Sequence, residues 1–101
     1  MGGTAKSVLS AAKYKIADEK NWTRGTYARD ALGQPISPAC STAVCFCSVG
    51  AISSVADRHD VFNEALKALH AAMGRDAFAY NDTHTHEEVL AAFDRAIKAS
   101  S

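Results

Sequence analysis

The run Ala43-Val-Cys-Phe-Cys-Ser-Val-Gly-Ala-Ile52 is the longest apolar stretch in the chain and constrains it most. It is far too short to cross a membrane. It is also too apolar to lie on a surface, so whatever it forms must be the inside of the fold. Strand and helix both fit it. The β-branched residues and the aromatic favour a buried strand; the length, a Ser41 cap and the small residues that follow favour a helix. The helix over 41–56 is the reading taken, apolar on most sides and therefore central. Cys47, Gly50, Ala51 and Ser54 then form a stripe of small side chains. The cost of a glycine inside a helix, about 1 kcal/mol, is offset there by the close approach of another helix.

The flanking segments read more simply. Thr4 caps a first helix over 4–18, with Ala5, Val8, Leu9, Ala12 and Ile16 as its apolar stripe and Lys6, Lys13 and Lys20 on a solvated side. Residues 21–40 lose the helical period and are punctuated by Gly25, Gly33, Pro35 and Pro38. Tyr27–Arg29 and Gln34–Ser37 flank Asp30-Ala-Leu-Gly33, which fits either a small β-hairpin or an ordered irregular loop. Trp22, the only tryptophan, lids one end of the core from this segment, or alternatively stacks on a ligand. Asp60 caps a third helix over 60–73 whose stripe is Phe62, Leu66, Leu69 and Met73 and whose stop is Gly74. A single turn follows at Asp76–Tyr80. Thr85-His-Glu-Glu88 has the form of a capping box and opens the last helix, with Val89, Leu90, Phe93 and Ile97 facing inward. The expected fold is mainly α: residues 1–101 form one domain, a compact bundle of about four helices with an irregular or β-hairpin insert after the first.

Charge narrows the function. The chain is neutral, with 11 basic and 11 acidic side chains. It therefore has no global field to attract nucleic acid, and no nucleic-acid or membrane partner is expected. The first 40 residues carry six basic against three acidic side chains, and the remainder five against eight. Two halves packed with complementary surfaces account for this; a basic docking face is the alternative. Three cysteines without a secretory segment point to a cytoplasmic protein with reduced thiols.

Asn21-Trp22-Thr23-Arg24-Gly25, Ala28-Arg29-Asp30, Gly33, Phe46-Cys47-Ser48-Val49-Gly50-Ala51-Ile52, Asn81-Asp82, Val89 and Phe93-Asp94 together resemble a small family of bacterial and phage proteins catalogued as a domain of unknown function. The likeness runs over most of the chain. It implies a bacterial or phage source and directs attention to Trp22, Arg29, Cys47, Gly50, Asn81 and Asp82. It supplies no activity. Cys40 and Cys45 fall outside its pattern.

Each chemical motif has a plainer structural reading. On a helix Cys45 and Cys47 point about 200° apart and cannot grip one ion, and Cys40 lies on the order of 10 Å from Cys47 along the axis. On a strand the two thiols would share a face. Neither a paired C-x-x-C nor an H-E-x-x-H spacing is present, so neither a metal nor any other cofactor is expected. In Asn81-Asp-Thr-His-Thr-His86, Asn81 and Asp82 read as turn devices, with Asp82 meeting Arg29 or Arg24. His59 and His70 belong on the surface. The preferred function is a non-enzymatic protein-interaction or accessory module that binds a protein partner or a second copy of itself, with Trp22, Arg29 and Asp82 as candidate binding residues. The alternative is a cysteine-dependent hydrolase with Cys47 as nucleophile, His84 or His86 as base, and Asn81 and Asp82 as helpers.

Overall fold

A computed structural model describes residues 4–100. In chain order the elements are α1 (Ala5–Lys15), a 3-10 turn (Glu19–Asn21), β1 (Ala28–Arg29), β2 (Cys45–Phe46), α2 (Ser48–Val55), α3 (His59–Met73), α4 (Ala77–Thr83) and α5 (His86–Ala99). The fold is mainly helical, as expected, but the described residues form five α-helices and a two-stranded sheet. No helix among the described residues is long and apolar enough to cross a membrane.

α1 begins as its sequence predicts. Thr4 accepts the Ser7 N–H at 3.1 Å, and the Ser7 hydroxyl reaches back to the Thr4 N–H at 3.2 Å. The helix stops at Lys15 rather than residue 18, because Ile16 leaves the helical region and Asp18 turns to cap the following 3-10 turn. α1, not α2, holds the central place: it packs against α2, α3 and α5 through Val8, Leu9 and Ala12.

The 41–56 helix is the main correction. The apolar run divides in two. Val44 and Cys47 donate their N–H groups to the Arg29 and Tyr27 carbonyls at 2.9 and 3.1 Å, drawing the first half into an antiparallel pair. Ala28 lies opposite Phe46 and Arg29 opposite Cys45, so the period of two buries Ala28 and Phe46 and turns Arg29 and Cys45 outward. Cys47 is still extended, at φ −80° and ψ 177°, and only the small-residue half coils into a helix. Ser41 is an exposed residue of the loop and caps nothing. Gly50 is a close contact, but with backbone of the insert and not with another helix. A methyl group there would overlap the Tyr27 carbonyl, at 2.8 Å from its carbon.

The turn predicted at 30–33 is present. Asp30 Oδ1 accepts the N–H groups of Leu32 and Gln34, both at 3.0 Å, and Gly33 supplies the positive φ of 81°. Arg29 bridges to Pro35 on one side while pairing with Cys45 on the other.

α3 begins at His59 without a side-chain cap, since Asp60 commits its carboxylate to Arg58 at 3.0 and 2.8 Å. Its buried line is Val61, Ala65, Leu69 and Met73; Phe62 and Leu66 sit half-buried beside it. Gly74 ends it in the left-handed region. What reads as one turn at 76–80 is the two-turn α4, capped by Asp76 on Ala79 at 3.1 Å. Ala77, Tyr80 and Asn81 face inward at helical spacing, so Asn81 and Asp82 are helical and not a turn. The Thr85–Glu88 capping box opens α5, which buries Val89, Ala92, Phe93 and Ala96.

Because the Tyr27 carbonyl leaves no room for a Cβ at residue 50, Gly50→Ala is expected to destabilise the fold by about 1–3 kcal/mol through overpacking. Denaturant melts of the two proteins measure this, and an unchanged midpoint would contradict the contact.

Candidate functional site

The residues singled out by sequence gather around one buried carboxamide. Asn81 is carried inward by α4 and is fully buried. Its Oδ1 accepts the Trp22 indole N–H at 2.7 Å and the Ser48 backbone N–H at 2.9 Å; its Nδ2 donates to the Thr23 carbonyl at 2.9 Å. The Ser48 N–H is one of the donors left unpaired at the start of any helix, so Asn81 serves α2 as a cap supplied from another element. Ser48 returns the contact by donating its hydroxyl to the Ala77 carbonyl at 3.3 Å.

Asp82, one residue on, faces the insert. Its Oδ1 accepts the Gly25 N–H at 2.9 Å, where φ is +81°. The expected ion pair with Arg24 or Arg29 is not formed. Arg29 donates instead to Thr23 Oγ1 at 2.8 Å and to the carbonyls of Gly33 and Arg24 at 3.0 and 3.1 Å. Arg24 donates to the His84 carbonyl and lies over the Trp22 ring, 4.9 Å from its centroid. Asp82 and Arg29 thus grip the same turn, Thr23–Gly25, through neutral partners, and Arg24 ties that turn to His84.

The histidines are similarly engaged. His84 Nδ1 donates to the Tyr80 carbonyl at 3.0 Å, and its ring stacks on Tyr80 at 3.6 Å between centroids. His86 Nε2 donates to the Ile16 carbonyl at 2.6 Å, with its ring 5.3 Å from Trp22. His59 is exposed and His70 half-buried, the latter 3.7 Å from Asp76.

Cys47 stands at the start of α2, where its Sγ accepts the Gly50 N–H at 3.3 Å. A helix N-terminus lowers a thiol pKa, and burial raises it. Burial prevails: it pushes the Cys47 thiol up to about 11, against the Gly50 and Val49 N–H groups and with help from the Asp82 charge. No hydrogen bond joins Cys47 to His84, His86, Asn81 or Asp82 among the described residues. The single-helix picture of two cysteines is replaced: Cys45 lies half-buried on β2, and Cys47 caps α2. Cys40 is exposed on the loop, its thiol drawn below the usual range by the Thr42 hydroxyl at 3.3 Å. Among the described residues no three His, Cys, Asp or Glu side chains converge to hold a metal ion.

Sequence reasoning quoted Ser48 and Thr23 within the family pattern but gave them no role, and assigned Asn81 to a turn. The signal for Asn81 was available in Asp76 as a cap followed by Ala77, Tyr80 and Asn81 at i, i+3 and i+4.

These features define a small, mainly helical domain whose irregular insert is clasped to its fourth helix by a buried amide. The chain belongs to DUF6197, a family of unknown function, which it matches over residues 1–99. No curated protein and no solved structure matches it.

Asn81→Leu is expected to leave the Ser48 and Trp22 N–H groups unpaired and to cost about 2–4 kcal/mol. Trp22 fluorescence should shift at the same time, which separates loss of this clasp from general loosening.

The Cys47 thiol gives a pH prediction. Unfolded, it ionises near its ordinary value of 9.0; folded, it holds its proton to about 11. Its contribution to stability is therefore complete below about pH 9 and is lost as pH rises from 9 to 11. Cys47→Ala should remove that part of the slope. In the native protein at neutral pH, a small alkylating reagent should label Cys47 slowly, and rapidly once the chain is denatured.

Proposed function

We propose that this chain is a non-enzymatic interaction or accessory module of a bacterial or phage cytoplasm, and that it engages a protein partner through the insert between α1 and α2. The observation that carries the reading is Leu32. It stands 85% exposed at the tip of a turn that Asp30, Gly33 and Arg29 hold in one conformation. A large apolar side chain presented to solvent from a hydrogen-bonded turn is the kind of feature a partner buries, because little backbone ordering remains to be done on binding. Tyr27 and Val44, on the same insert, are about half exposed.

The polar residues that would serve a hydrolase are already committed to the fold. The burial of Cys47 and its raised thiol pKa oppose a working thiolate, and both candidate bases donate to backbone carbonyls.

The test places a photo-crosslinking amino acid at Leu32 and, as a control, at the exposed Ala91 on α5. The reading expects a discrete adduct from position 32, with a partner or with a second copy, that unlabelled protein competes away, and none from position 91. Adducts of equal yield from both positions, or rapid native labelling of Cys47 together with hydrolytic turnover, would overturn it.

A further inference from the structure

We draw no further inference here: the strongest candidate, the cleft between the end of α2 and the uncapped start of α3 that Ser53, Asp57, His59, Phe62 and Asn63 line, carries nothing, because it rests on a helix N-terminus and each polar side chain lining it is exposed, so that no buried group points into it to mark a ligand.

Discussion

The fold depends on the carboxamide of Asn81. A buried amide without partners costs several kcal/mol, so its position is tolerable only when all its surroundings are in place. Here the surroundings are three chain segments distant in sequence: the Trp22–Thr23 stretch, the first residue of α2, and α4 itself. The geometry of each is conditional on the others. Trp22 can pack on the core only with its indole N–H satisfied. α2 can begin in a dry environment only with the Ser48 N–H satisfied. One side chain meets both requirements. No buried side-chain polar atom among the described residues is left without a partner, which is the condition under which an interior polar network adds order.

The start of α2 shows two constraints resolved in one residue. Cys47 is the last extended residue and the cap of the next helix. Its backbone N–H belongs to the sheet, through Tyr27, and its sulfur belongs to the helix, through Gly50. A serine or threonine would cap more strongly, but sulfur suits a site enclosed by core. The same enclosure raises the thiol pKa, so the position that resembles a nucleophile site by location is chemically quiet by environment.

Helices with strong local signals were legible in the sequence. α5 declared itself through Thr85 and Glu88, α1 through Thr4 and its apolar stripe, and the end of α3 through Gly74. The errors share a cause. Residues 43–52 hold no local information that divides them after Phe46; the division comes from β1 and the residue before it, 15 to 20 residues earlier in the chain, where the Arg29 and Tyr27 carbonyls take the Val44 and Cys47 N–H groups. Asn81-Asp82 has turn chemistry in isolation, and burial of Tyr80 and Asn81 overrides it. Asp60 is a good cap in principle and is captured by Arg58. For the site, family resemblance singled out Trp22, Arg29, Cys47, Asn81 and Asp82, and motif reading brought Asp82 to Arg29 or Arg24, but the bonding pattern was not legible. Hydrogen bonds between residues 33 to 59 positions apart leave no periodic trace.

The pairing of Arg29 with Cys45 has a further consequence, for how such a chain can change. It brings the two ends of residues 30–44 side by side, and nearly all of the intervening positions are half-buried or exposed. A loop whose ends are already anchored is cheap to lengthen: each doubling costs only about 0.6 kcal/mol of closure entropy. Insertions there that keep Ile36 and Ala43 against the core leave the amide clasp in place. The helical scaffold and this loop can therefore drift at different rates, the loop changing in length and sequence while the rest of the domain stays fixed.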